Sequence, residues 1–391
     1  MKQLFSNLLF KVFLAIVLGI VFGLYLPESI NRVFTTFNSF FGQFLNFAIP
    51  LIIMGLIMPA ISDLGKGAGK LLLLTAAIAY GSTLFSGFMT YFAAVSIFPQ
   101  LLESQISNVA QIGSSKAELT PYFTIIIPPA LDVMTALVFA FVIGLGLSYQ
   151  DKSSLKLVVK DFQIIIMQLI ENVIIPLLPL FILGIFTSMT FSGKVFSILS
   201  VFISIIGVIF ALHILLLLVQ FTVAGLLTKK NPIKLLATMM PAYFTALGTQ
   251  SSAATIPVTL EQTLKNGVSQ KIAGFVIPLC ATIHLSGSTM KITACAMALM
   301  ILEGMPFDFT LIAGFIFMLG IAMVAAPGVP GGAIMAAVGI LQSMLGFTEE
   351  MTGLMIALYI AMDSFGTACN VTGDGAIALI IDKVTKEKLI S

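Results

Sequence analysis

Four residues near the C-terminus, Asp363, Thr367, Asn370 and Asp374, are spaced by 4, 3 and 4 positions. At about 100° per residue on a helix they fall within roughly 60° of one another, in a stripe about 16 Å long. Two carboxylates, an amide and a hydroxyl on one face suit an ammonium group or a hard cation, which prefers carboxylate and carbonyl oxygens. The stretch that carries them, AMDSFGTACNVTGDGAIAL (361–379), is apolar on its other faces. A buried carboxylate without a partner is strongly destabilising, so each needs a positive neighbour. A bound ligand ammonium can serve Asp363, and a bound cation or basic side chain can serve Asp374. Fixed internal ion pairs are the alternative, because Lys291 is available.

The elements that position this stripe belong to a chain of 391 residues that is 59% hydrophobic and 9% charged. A soluble domain needs roughly a quarter of its residues charged to cover its exterior. The long apolar runs Phe10–Leu26, Leu71–Pro99, Tyr122–Leu147, Ile164–Met189 and Val195–Leu227 can each cross a hydrocarbon core of about 30 Å as a helix. The chain therefore reads as a polytopic membrane protein embedded in a lipid bilayer. A net charge of +2 is too small to imply nucleic-acid binding. Cys280, Cys295 and Cys369 all lie in apolar segments and read as small packing residues, not as a disulfide or metal framework. The N-terminal MKQLFSNLLFKVFLAIVLGIVFG has a signal-like basic start, but no small-x-small cleavage site follows, so it reads as a retained first helix. Basic residues gather at Lys2 and Lys11 and in 63–70, 151–160, 228–234 and 382–388, while the alternate connections hold Lys116 and Lys194. The positive-inside rule then places both termini in the cytoplasm.

The first 230 residues read as six ordinary spans, with Glu171 and His213 as the exceptional ionisable groups. No second polar residue is clustered beside His213, which favours a structural role for it. Beyond Asn231 the texture changes. AYFTALGTQSSAATIPVTLEQ (242–262) is an apolar stretch broken by small polar residues and a proline, and IAMVAAPGVPGGAIMAAVG (321–339) is interrupted by Pro327, Gly328, Pro330, Gly331 and Gly332. Proline removes a backbone donor and glycine weakens a helix, so neither stretch can be one unbroken helix. Broken backbone at membrane depth is tolerated only where it is buried in protein or lines a cavity. Each interrupted segment precedes a polar-marked span: ATIHLSGSTMKITA (281–294) follows the first, and the stripe follows the second. A matched pair of interruptions points to an inverted repeat with a substrate site between its halves. Two re-entrant loops lining a channel are the rival arrangement, and the pairing of each loop with its own polar helix favours the transporter.

On the residues SSAATIP (251–257), GVPGGA (328–333) and NVTGD (370–374), the chain resembles the dicarboxylate/amino acid:cation symporter family, the glutamate-transporter fold, over nearly its whole length. The resemblance implies an all-α polytopic membrane protein of eight transmembrane helices plus two re-entrant helical hairpins with inverted repeats. Residues 1–70 and 120–190 would form a scaffold (helices 1–2 and 4–5). A moving transport domain would comprise 71–119 and 191–391, with hairpins at about 235–265 and 308–345. It also implies a homotrimer in the plasma (inner) membrane that moves a small substrate by an elevator motion. By position, Asp363 would bind the substrate's α-ammonium. Asn370 and groups near Ser251, Ser252, Val329 and Gly331 would hold the α-carboxylate, with Ser288 and Thr367 as hydroxyl contacts. Asp374 would be a sodium ligand, assisted by the Asn370 backbone and carbonyls around Cys280 and Thr282.

Four departures qualify that carry-over. Acidic-substrate members have an arginine four residues before the asparagine of NVTGD, where this chain has Gly366, and another beside the hairpin serines, where it has Gln250. A second substrate carboxylate would therefore be buried without a partner, and the glycine leaves space, so a small neutral amino acid is expected. The family's NMDGT reads HLSGS (284–288) here, so His284 and Ser286 replace sodium-coordinating residues, and Ala76 stands beside a retained Thr75 where a hydroxyl is expected. Lys291 occupies a position where tyrosine is common; an ammonium there could stand in for the missing ion near Asp374 and exchange a proton, or it could snorkel to water. Met323 replaces a small polar residue at the second hairpin. The expected activity is secondary transport, not enzymatic turnover, without a cofactor and with sodium or a proton as coupling ion. No GxxxxGK[ST] loop is present to bind a nucleotide.

Overall fold

The computed structural model describes residues 8–63, 70–112, 119–150, 153–193, 195–326 and 330–390. Lys2, Lys116, Lys194, Pro327, Gly328 and Val329, which figure in the sequence reading, lie outside these residues. Among the described residues the chain is helical, without strands, and seven helical runs are long and apolar enough to cross a membrane. The outer surface carries exposed Phe13, Leu24, Phe92, Ile203, Ile214 and Leu226. The interior, by contrast, buries carboxylates, histidines and a lysine. That inversion suits lipid, which solvates apolar side chains but no backbone or charge.

Helices α1 (Leu8–Tyr25), α2 (Glu28–Asp63), α3 (Lys70–Ile112), α4 (Val133–Ser148), α5 (Ser154–Leu169), α6 (Ile175–Phe191) and α7 (Val195–Thr228) are built from long apolar runs. A π turn, Ile170–Ile174, joins α5 to α6 and leaves Glu171 exposed, away from any interior site. The span expected over Tyr122–Leu147 is corrected: residues 119–132 are non-helical, and the helix begins at Val133. Pro121, Pro128 and Pro129 account for this, since proline removes a helix donor and disfavours helical backbone at the preceding residue. The extended stretch is held instead by Arg32, whose Nε donates to the Thr120 carbonyl at 2.9 Å, and by Thr36 Oγ1, which accepts from the Tyr122 N–H at 2.9 Å.

The second half is a series of interrupted helices: α8 (Pro232–Thr249) and α9 (Ser252–Lys265), α10 (Gln270–Ile283) and α11 (Ser286–Leu302), α12 (Phe309–Ala325) and α13 (Gly332–Leu345), and α14 (Glu349–Ala361) and α15 (Asp363–Ile390). Side-chain caps mark the starts of α8, α9, α12 and α14. Asn231 Oδ1 accepts the Ile233 and Lys234 N–H groups ahead of α8, with Pro232 at its first position. Gln250 ends α8 in the left-handed region (φ 54°), and Ser251 Oγ then caps α9 through the Ala254 N–H. Asp308 and Thr348 cap α12 and α14 in the same manner.

Two apolar cores form among these helices. One gathers α1, α2, α4, α6, α12, α13 and α14 around the far half of α11. The other gathers the second half of α7 with α8, α10 and α15. Every residue of α11 from Ser286 to Met300 is buried, so this helix is the axis between them. Replacing Asn231 by alanine removes the two accepted N–H bonds at the start of α8. It is expected to lower stability by about 1 kcal/mol, read as a lower thermal midpoint in detergent; an unchanged midpoint would show the cap to be dispensable.

Candidate functional site

Helices α11 and α15 lie side by side and antiparallel, and their polar residues pair in register. At one end His284 Nδ1 lies 2.8 Å from Asp374 Oδ1. In the middle Asn370 Oδ1 accepts the Gly287 N–H at 2.7 Å and the Ser288 N–H at 3.3 Å, while its Nδ2 donates to Ser288 Oγ at 3.1 Å. At the other end Lys291 Nζ lies 3.4 Å from Asp363 Oδ1. His284, Lys291, Asn370, Asp363 and Asp374 are all buried. Both carboxylates of the stripe are therefore met by internal partners.

This pairing differs from the expectation that Lys291 neutralises Asp374. Asp363 and Asp374 are eleven residues apart, about 16 Å on a helix. The extended backbone at His284 (φ −108°, ψ 95°) lengthens the α10–α11 connection enough for His284 to reach the far carboxylate and Lys291 the near one. Snorkelling is also excluded, because Lys291 is 0% exposed. Its ammonium donates to the Met362 carbonyl at 3.2 Å and sits 3.6 Å above the Tyr359 ring, a cation–π contact. Its methylenes and ammonium cover Gly366, where an added Cβ would fall 2.6 Å from Nζ and closer still to Cε. The space that the glycine was expected to leave for a substrate is filled by Lys291.

Asp363 is further held by the Gly331 N–H at the start of α13, 2.8 Å from Oδ2. A carboxylate at a helix N-terminus is favoured by the unpaired N–H groups and the dipole. Gly331 is in the left-handed region (φ 76°), a conformation that glycine adopts without strain. Gln250, at the α8–α9 break, donates through Nε2 to Ser364 Oγ at 2.8 Å. Three of the four helix breaks thus converge where α14 becomes α15. Ser252 and Thr367 are buried there, and Ser251 serves as the α9 cap.

Around Asp374 the network widens. His284 Nε2 lies 3.1 Å from Ser82 Oγ, which accepts from Gln220 Nε2 at 2.9 Å; the same amide donates to Ser286 Oγ at 3.4 Å. A donor at Nδ1 and an acceptor at Nε2 satisfy this chain, an assignment made from the bonding pattern. Gly373 permits the approach, since a Cβ there would fall 2.7 Å from Gln220 Oε1 and 2.9 Å from His284 Cε1. Ser82 and Gln220 also line a cavity of ≈ 260 Å³ with Gly81, Phe85 and Ala376. Thr75 and Thr282 stand apart from the cluster, while Cys280 touches it through its backbone. The Thr282 hydroxyl is exposed and bonds the Leu279 carbonyl, the Thr75 hydroxyl bonds the Leu71 carbonyl, and the Cys280 carbonyl accepts the His284 N–H. Met323 is buried in α12. His213 does join the site: its Nε2 lies 3.2 Å from the Gly287 carbonyl.

Sequence reasoning missed Tyr359, Gln220 and Ser82. Tyr359, whose hydroxyl lies 2.9 Å from Ser288 Oγ, extends the spacing of the stripe by four residues upstream. Gln220 is seven residues beyond His213, on the same helical face.

The family described as "Sodium:dicarboxylate symporter family" matches residues 8–384. A serine/threonine transporter of Acinetobacter baumannii is 25% identical over 397 residues, covering 98% of each chain. Human excitatory amino acid transporter 2 is 33% identical over 188 residues, 47% of this chain and 32% of its own. Mouse excitatory amino acid transporter 5 is 32% identical over 163 residues, 41% of this chain and 29% of its own. Replacing His284 by alanine leaves the Asp374 carboxylate without its buried partner and should destabilise the protein by about 1–3 kcal/mol or more. Ser82→Ala, which removes an outer member of the chain, should cost about 1 kcal/mol. Thermal unfolding of the two variants beside the wild type checks the order.

Proposed function

The chain belongs to the sodium:dicarboxylate symporter family, and from that membership we propose that it is an elevator-type secondary active transporter for a small neutral amino acid in the plasma membrane. The observation that carries the reading is the convergence of Asp363, Asn370, Ser288 and the Gly331 N–H at paired helix breaks. Such a site offers one carboxylate to an α-ammonium and a set of amide and hydroxyl donors to an α-carboxylate. Val329, at the second break, is proposed to contribute as well. In this reading α8–α9 and α12–α13 are re-entrant hairpins related by an inverted repeat, and eight membrane spans complete the fold. Residues 1–70 and 120–190 form the scaffold of a homotrimer. Residues 71–119 and 191–391 move with the substrate, and both termini are cytoplasmic.

Neutrality of the substrate follows from Gly366 and Gln250, which supply no guanidinium to a second carboxylate. The similarity to a bacterial serine/threonine transporter supports the same class. For coupling we propose that sodium is dispensable and an inward proton gradient drives uptake. The support is that the side chain at 284 already satisfies Asp374 at 2.8 Å, where the resemblance would put sodium. The second reading, sodium-coupled symport through Asp374, is favoured by the family description. Concentrative uptake separates both from a channel, which only equilibrates its solute.

Neutral amino acids are expected to bind at least about tenfold more tightly than aspartate or glutamate, a difference of roughly 1.4 kcal/mol; titration calorimetry with serine, alanine and aspartate decides it, and tight aspartate binding would refute the assignment. Asp363→Asn should abolish amino-acid binding while the protein stays folded. Uptake into proteoliposomes should persist when choline replaces sodium and should rise with an inward proton gradient. A strict sodium requirement without a proton effect favours the second reading.

A further inference from the structure

Lys291 places an ammonium on the carboxylate that the proposed substrate would need for its own amino group. Asp363 has both oxygens engaged, one by Lys291 Nζ and the other by the Gly331 N–H. The Lys291 contact, at 3.4 Å, is longer than the about 2.7–2.9 Å usual for a charge-assisted bond. The ammonium has two further supports that do not involve Asp363, the Met362 carbonyl at 3.2 Å and the Tyr359 ring face at 3.6 Å. It can therefore give up Asp363 and stay solvated by protein. The packing also fixes the side chain: Gly366 leaves room for it, since a Cβ there would fall 2.6 Å from Nζ.

Resting on the amino-acid reading above, we infer that Lys291 is a tethered placeholder for the substrate's α-ammonium. It holds Asp363 when the site is empty and yields it when an amino acid enters. The placeholder and the ligand amine are mutually exclusive partners of one carboxylate oxygen. Two consequences follow from the charges. The empty site is already neutral, so it can change its exposure to the two sides without a bound ion at Asp363. The amine of a ligand gains only the difference between its own contact and the one that it displaces, because the carboxylate is satisfied either way.

The experiment compares L-alanine with L-lactate, which has a hydroxyl in place of the amine, by titration calorimetry of the full-length protein in lipid nanodiscs. In the wild type the preference for alanine should be small, within about tenfold, because displacement of Lys291 offsets the gain. In Lys291→Gln and Lys291→Met, where Asp363 has lost its fixed cation, the preference should rise by a further factor of about ten or more. Elution as a single species and retained helicity serve as the folding check. A wild type that already prefers alanine by about a thousandfold would overturn the placeholder without recourse to a variant. So would a preference that is unchanged or reduced in the folded variants. If neither wild type nor variants bind alanine, the amino-acid reading itself fails and the placeholder with it, which is distinct from alanine bound with an unchanged ratio.

Discussion

Two carboxylates eleven residues apart on one buried helix are the constraint from which the rest of this interior follows. Neither can be ionised in an apolar surrounding without a partner, and a single cation cannot serve both ends of a stripe about 16 Å long. The antiparallel pairing of α11 with α15 solves this with an imidazole at one end and an ammonium at the other. The breaks in α10–α11 and α14–α15 are part of the same solution. The α10–α11 break frees the Gly287 and Ser288 N–H groups for Asn370, and the Gly287 and Met362 carbonyls, at the starts of α11 and α15, face His213 and Lys291 in addition to their own helices. The glycine of the α12–α13 break completes the set by donating to Asp363.

This arrangement differs from what the family resemblance implies. The resemblance assigns Asp363 to a ligand ammonium and Asp374 to sodium, both of which come from outside the protein. Here the corresponding oxygens face side chains of the same polypeptide. The residues at 284, 291 and 366 thus work together: two supply the internal partners of the carboxylates and the third leaves the space that one of them fills. His284 replaces a ligand contact with a hydrogen-bonded chain through Ser82 to Gln220, and Lys291 occupies the volume over Gly366.

Much of this could be read from the sequence, and the limits have a physical origin. Helical periodicity located the stripe, because spacing along one helix maps directly onto a face. Proline and glycine located the interruptions, since their effect on backbone is local. Which residue of α11 meets which residue of α15 depends on the register of two packed helices, and no local rule encodes that. Spacing alone therefore does not tell which carboxylate Lys291 meets: it pairs with Asp363 and not with Asp374. Tyr359 and Gln220 were within reach of the same periodicity had it been continued upstream of Asp363 and beyond His213. The run at Tyr122 failed for a different reason: hydrophobicity alone suggested a span, and three prolines kept its first part extended.

The interlock of Lys291 with Gly366 also limits the paths by which this site can change. Installing an arginine at 366 while Lys291 is present would force two cationic side chains into a volume that now holds one. Shortening Lys291 first would strip Asp363 of its counter-charge before the arginine had arrived. Each single step is unfavourable although the pair of changes can be balanced, which is sign epistasis written in side-chain volume and charge. A chain with this glycine and this lysine is therefore separated from arginine-bearing specificity by a fitness valley, and the two positions should be exchanged together or not at all.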